Sequence, residues 1–306
     1  MKTITKQLVL PFLAFALLGA NGCATYENLS PAPKQTQVIN IVVDQNELSG
    51  GSDLPIGALH VDDAPLIISG HQSNNSGAMM FGLIGALIAD QMGESEAEER
   101  IKLVKERLKL GMDGFFYEAV ADGITRPEFK GKFIQADKTT AGPTLRVTPV
   151  LLLSYVDETN VKAFVELKLG LYDNDKNRVW SSRYFSSNGK ALPLAGDVSW
   201  TANNNAVIRE SVKTSLRQLV HVMLSDMSHA YVRDENQMYM VQDYFPYVKQ
   251  KVEVMGYKLA EEEDYIVFAP KLGDVMVFSG INLIKKDIAS PRVAKQDQPV
   301  FRIIQP

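Results

Sequence analysis

The only thiol in this chain, Cys23, sits where chemistry would be done to it rather than by it. It follows two lysines, Lys2 and Lys6, an apolar run over residues 8–18 broken by Pro11, and the small residues Gly19, Ala20, Asn21 and Gly22. A positive start, a short apolar stretch and small residues at a cut form the pattern of a cleaved secretory segment. The run is about half of the roughly 20 residues that a membrane-crossing helix needs, so removal suits it better than a permanent span. A secreted protein with an unmodified Cys23 is the plain alternative. That alternative leaves an unpaired thiol in an oxidising compartment.

With the cysteine at the cut, the segment resembles the lipobox of bacterial lipoproteins. Ala20 stands where Leu is usual three residues before the cysteine, with Leu17 and Leu18 upstream. The resemblance implies removal of residues 1–22, a diacylglycerol on the Cys23 sulfur and an N-acyl chain of palmitate type on its amino group. No other cofactor is implied. Each buried methylene contributes about 0.8 kcal/mol and one chain holds only marginally, so several chains make the attachment lasting. Ala24, rather than Asp, follows the cysteine, which by the same resemblance favours the outer membrane, facing the periplasm.

Other residues with chemical potential fall short of a motif. Asp173, Asp175 and Asn177 match the opening ligands of a calcium loop, but Arg178 and Tyr184 stand where Gly and a bidentate Glu are needed. His221 and His229, read as lying on one helix, are eight residues apart and about 80° out of phase. His60 and His71 lie in loop-like stretches near Asp62 and Asp63, without a metal-ligand spacing. Residues 49–52, Ser-Gly-Gly-Ser, lack the following helix that a nucleophile elbow or phosphate cradle requires. The acids of residues 261–264 are a conceivable catalytic pair, but a hairpin tip rich in acids is ordinarily solvated. The expectation is therefore no metal site, no catalytic residues and no enzyme.

Composition agrees with a folded globular body. The net charge is −4 with acids and bases intermixed, which offers no nucleic-acid surface. Without disulfides the core must hold the fold unaided, and 306 residues suffice for that.

The elements that would position these residues follow from periodicity. Residues 24–37 carry Pro31 and Pro33 and read as a tether. Residues 38–43 (VINIVV) read as a first strand, and 65–69 as another. Residues 78–89 (AMMFGLIGALIA) are apolar on all sides, with Gly82, Gly85, Ala86 and Ala89 in one stripe. Such a stripe permits close helix approach. It fits either a buried core helix or an interaction surface for membrane contact or self-association. Ser95 and Glu98 have capping-box spacing for a second helix with Ile101, Val104, Leu108, Met112, Phe115 and Ala119 on one face. In residues 161–171 the odd positions are apolar and Lys162, Glu166 and Lys168 alternate with them, a strand with one buried face. It is flanked by strands 145–156 and 178–185, and Pro149 places the former at an edge or on a bulge. A long helix opened by residues 203–205 carries the stripe Ile208, Val212, Leu216, Leu219, Met223 and Met227.

The expected fold class is α+β: an antiparallel sheet (meander 144–186) packed by long helices, with a small all-β C-terminal region. The expected organisation is a signal peptide at 1–22, a lipidated cysteine and flexible tether at 23–37, a periplasmic α+β domain at 38–234 and a β-rich region at 235–306. Residues 161–224 resemble periplasmic lipoproteins that assist envelope transport or secretion machines. The resemblance rests on the strand ending Leu171-Tyr172-Asp173, a polar turn, a strand with Trp180 and a closing amphipathic helix. It implies a non-catalytic accessory role and no particular site. The leading functional expectation is a lipid-anchored scaffold or assembly protein that binds other envelope proteins, with a possible homo-oligomer and no nucleic acid. A lipid- or glycolipid-binding carrier, needing an apolar pocket between helix and sheet, is the alternative. An envelope hydrolase, needing a cleft of converging acids or histidines, is the third reading.

Overall fold

The computed structural model describes residues 30–45, 54, 58–61, 64–69, 102, 104, 108–234, 236–272, 278–289, 291–295 and 297–304. The first half comprises β1 (Ile39–Val43), β2 (Ala58–His60), β3 (Leu66–Ser69), α1 (Met112–Gly123), β4 (Phe133–Gln135), β5 (Thr144–Tyr155), β6 (Asn160–Tyr172) and β7 (Arg178–Pro193). Then come α2 (Ala202–Met227), β8 (Tyr239–Asp243), β9 (Val252–Glu261), β10 (Tyr265–Pro270), β11 (Ile281–Lys285), β12 (Arg292–Val293) and β13 (Phe301–Ile303).

All thirteen strands belong to one mixed sheet, in the order β12-β8-β9-β10-β11-β7-β6-β5-β1-β4. β3 pairs with β5 and β2, and β13 with β9, off that path. This overturns the α+β class with a separate all-β C-terminal region. Only two helices are present among the described residues, and the C-terminal strands continue the same sheet. The join is β11, which runs parallel to β7 with Ile281, Asn282 and Leu283 opposite Tyr184, Phe185 and Ser186. β1 pairs in parallel with both β4 and β5, and β3 in parallel with β5. Hairpins announce themselves through short turns, whereas parallel neighbours join segments far apart in sequence. The expectation was built on the hairpins alone.

The meander itself is present as β5, β6 and β7, paired antiparallel. Its turns use the local chemistry of Asp. Asp157 accepts from the backbone N–H of Thr159 and Asn160 and from the Asn160 side chain. The Asn160 side-chain bond leads in holding its carboxyl down at about 2. Asp173 accepts from the Asn177 N–H in the next turn, where Lys176 takes a positive φ of 64°.

Pro149 is neither at an edge nor on a bulge. β5 has β6 on one side, and on the other β1 up to Val147 and β3 from Leu151. Val147 O accepts from Asp44 N and Leu151 N donates to Pro65 O, so odd residues of β5 point their backbone groups to that side. Pro149 shares their parity. Its missing N–H therefore faces the gap between the ends of β1 and β3, where no partner waits among the described residues.

The odd residues of β6, from Val161 to Leu171, face the helices across one continuous apolar layer. α2 contributes Ile208, Val212, Leu216, Leu219, Met223 and Met227, all buried. Residues 203–205, expected as caps, instead form a left-handed turn with φ of 52°, 56° and 66° before the regular helix. Asn tolerates that conformation better than other side chains with a Cβ. α1 lies against α2 at Gly123, where an added Cβ would stand 3.0 Å from Leu224 Cδ1 and 3.2 Å from Val220 Cγ1. Trp200 fills the far end of the layer, its indole N–H donating to Val161 O at 2.7 Å. The room that a lipid carrier would need between helix and sheet is occupied by these side chains.

Candidate functional site

The even positions of β6 were expected on a solvent face. They are buried as well: Glu166 is 0% exposed, and Lys162 and Lys168 are 3% exposed. On β7, Arg183 belongs to the same face and is also 0% exposed. Its guanidinium lies 3.5 Å from Glu166 Oε1, and its Nη2 donates to Ser279 Oγ. Tyr247 donates its hydroxyl to Glu166 Oε2 at 2.7 Å. One end of β6 repeats the arrangement with Lys162 Nζ 3.2 Å from Asp243 Oδ1 and 4.9 Å from the Tyr244 ring. Lys168, in register between Thr148 and Arg183, has its ammonium buried without a hydrogen-bond partner among the described residues.

The partners of this charged face come from the C-terminal third of the chain. Asp243 ends β8, Tyr247 lies between β8 and β9, and Ser279 precedes β11. Buried charges of this kind are tolerated only when paired and hydrogen-bonded. Here the pairing fastens the C-terminal segment over the sheet. A cavity of about 10 Å³ lies among Lys162, Phe164, Asp243, Tyr244 and Asn282. That is about the space one water needs. A larger depression of about 510 Å³ lies open beside Val43, Tyr117, Gln135, Asp137 and Lys138. Its charged groups are already engaged: Lys138 Nζ is 2.9 Å from Asp44 Oδ1, and Asp137 accepts from Thr139 and Thr140. Neither space gathers an unengaged acid and base.

A second buried cluster closes α2. Tyr184 donates to Asp226 Oδ2 at 2.6 Å. His229 is not on the helix surface as expected. It is the left-handed residue that ends the helix, with φ of 59°. Its N–H bonds to Asp226 O and that of Ala230 to Ser225 O, the paired bonds of a Schellman motif. Burial pushes the Asp226 carboxyl above the ordinary value of 3.8, against the opposing pull of the Tyr184 hydroxyl. The folded state therefore holds this proton more tightly than the unfolded chain does. The contribution is full below 3.8 and is lost as pH rises through the folded pKa. Asp226→Asn keeps an acceptor for Tyr184 and removes the titration. Urea midpoints measured upward from pH 4 are expected to decline less in the variant than in the wild type.

The structure does bring His221 and the acidic tip together. His221 Nδ1 is 3.1 Å from Arg126 Nη1 and its Nε2 is 3.9 Å from Glu262 Oε1. Burial, then Arg126, lowers the imidazole pKa, so it bridges α2 to the β9–β10 turn as a neutral ring at pH 7. The neighbouring acids are held by cations. Glu261 lies 3.1 Å from Lys286 and 3.2 Å from Lys258, and Asp264 lies 2.8 Å from Lys285. Lys286 for Glu261 and Lys285 for Asp264 lead in lowering their pKa values. A general acid needs the opposite shift. No group of three or more His, Cys, Asp or Glu able to hold a metal occurs among the described residues.

Of the remaining sequence candidates, His60 lies on β2 opposite Ile67. Asp62, Asp63, His71 and residues 49–52 lie outside the described residues, as do Cys23, Gly82, Gly85, Ala86 and Ala89. The approach to Cys23 is described from Ser30 onward. Ser30 O accepts from the Trp180 indole at 3.3 Å and Ala32 is buried, so the chain is already seated on the sheet there. Sequence reasoning missed Glu166, Arg183, Asp243 and Tyr247. The one available signal was the run of charges at alternate positions in the middle strand of a meander.

No family model matches the sequence, and no curated protein matches it. Among solved structures, a Xanthomonas campestris protein of the family DUF330 aligns at 13% identity and a TM-score of 0.28. The alignment covers 67% of this chain and 93% of that one. At that distance it carries neither fold nor function across.

Proposed function

We propose that this chain is a non-catalytic lipoprotein of the bacterial outer membrane, moored through Cys23 and facing the periplasm. It serves there as a scaffold or accessory component that binds other envelope proteins. The observation that carries the reading is the use made of charge. Glu166, Arg183, Lys162, Asp243 and Tyr247 engage one another inside the body and tie its C-terminal third to the meander. Ionisable groups arranged this way build a rigid body with its recognition on the outside, and they leave no reactive cleft among the described residues. The seating of Ser30 against Trp180 supports the mooring, since it fixes the start of the described chain, seven residue steps from Cys23, beside one end of the sheet.

The test is metabolic labelling with a fatty-acid probe, comparing wild type with Cys23→Ser. Label is expected on the wild type and none on the variant, which should float free of membranes after fractionation. An unlabelled wild type would remove the anchor, the location and the accessory role together.

A further inference from the structure

Given a lipid at Cys23, we infer that the end of the sheet carrying Trp180 rests on the headgroup surface of an anionic phospholipid membrane. The inference rests on the lipoprotein reading and adds to it which face of the body meets the bilayer. Register defines that end: Asn40, Thr144, Tyr172 and Arg178 lie in one row across β1, β5, β6 and β7, with Phe133 of β4 opposite Ile39 beside it. Trp180 lies just inside the row, opposite Leu171.

Two observations select this end. The first is reach. Seven residue steps lead from Cys23 to Ser30, and they span at most about 25 Å when extended. Trp200 marks the opposite end through its bond to Val161. Ten strand steps lead from Leu171 to Val161, about 33 Å. A body seated on its Trp200 end would lift Ser30 beyond what the leash allows.

The second is charge. Lys34, Lys130, Lys132, Lys176 and Arg178 are exposed at or beside the Trp180 end, against the acids Glu128, Asp173 and Asp175. The Asp173 carboxylate is occupied by the Asn177 N–H. The opposite end presents Asp157, Glu158 and Asp197 with Lys190. Anionic headgroups attract a basic surface held within a Debye length of them. The leash forbids the inverted seating, and the charge favours the Trp180 end over the opposite one.

The two tryptophans of the chain form a built-in ruler. The full lipidated protein is placed in phosphatidylethanolamine–phosphatidylglycerol vesicles with a trace of dansyl-headgroup lipid. Energy transfer is read from wild type and from Trp180→Phe, which retains Trp200. Transfer from Trp180 is expected to exceed that from Trp200 several-fold, and to fall when Lys130, Lys132 and Lys176 are changed to Glu. Equal transfer, stronger transfer from Trp200, or indifference to the charge reversal would overturn the inference. A parallel measurement needs no variant. Amine labelling of the wild type should be several-fold slower at Lys130, Lys132 and Lys176 on vesicles than in detergent, with Lys190 unchanged. Equal protection at Lys190 would refute the orientation as well. Intact mass separates the two failures: an unmodified Cys23 defeats the anchor and the orientation together, whereas a lipidated protein that fails the ruler defeats the orientation alone.

Discussion

Replacing Glu166 by Ala is expected to cost about 3–5 kcal/mol of folding stability, the amount typical of removing one partner from a buried ion pair. Glu166 and Arg183 are both fully buried, and Lys168 in the next row has no hydrogen-bond partner for its ammonium among the described residues. Taking away the carboxylate removes the counter-charge 3.5 Å from the buried Arg183 guanidinium and the acceptor for Tyr247. Urea unfolding is the measurement, with the midpoint shifted well below wild type and an unchanged slope. Tyr247→Phe should cost less, about 1–3 kcal/mol, because it removes one hydrogen bond and leaves the charges paired. A double variant, Glu166→Leu with Arg183→Leu, should recover much of the loss, since the pair is weak evidence of net stabilisation against apolar replacements. A Glu166→Ala protein as stable as wild type would show that the charged face is hydrated in solution. The C-terminal segment would then be held by something other than this network.

The second large effect is expected at Gly280. Its φ is +107°, a conformation that side chains with a Cβ rarely adopt, and an added Cβ would lie 2.6 Å from Arg183 O. The obstacle is backbone, so it cannot turn aside. Strain of about 1–3 kcal/mol and overpacking of a similar size put Gly280→Ala at about 2–6 kcal/mol. The damage should be uneven. Gly280 delivers Ser279 to Arg183 and Ile281 into the parallel pairing of β11 with β7. Hydrogen exchange is expected to accelerate across β8 to β13 far more than across β5 to β7. Uniform acceleration would mean that the two parts unfold as one cooperative unit.

Much of the centre of this fold was legible. The period-two pattern of residues 161–171 and the Asp-containing turns on either side correspond to β6 and its two hairpins. The stripe from Ile208 to Met227 corresponds to the buried face of α2. Alternation reveals which residues share a face, and it does not reveal what covers that face. Lys162, Glu166 and Lys168 read as solvated because the residues that cover them, Asp243, Tyr247 and Ser279, arrive at least 75 positions later. The parallel partners β1, β3 and β11 were hidden for the same reason: no turn joins them to the strands they pair with. His229 read as a helical residue because its side chain says little, whereas its left-handed backbone decides where α2 stops. The anchor proposed at Cys23 belongs to a different kind of legibility, since it rests on the resemblance to a lipobox and lies outside the described residues.

Pro149 has a consequence for alignment. A strand that slides by two residues keeps every side chain on its own face, so the burial pattern alone does not oppose such a slip. β1 ends opposite Val147, and two steps farther along β5 it would meet an imide nitrogen with no hydrogen to give. The proline acts as a buffer stop between two parallel tracks, and β1 and β3 each find the correct berth without touching. Exchanging it for Val would lift the stop, and the outcome would be a population of shifted ladders, all of them folded.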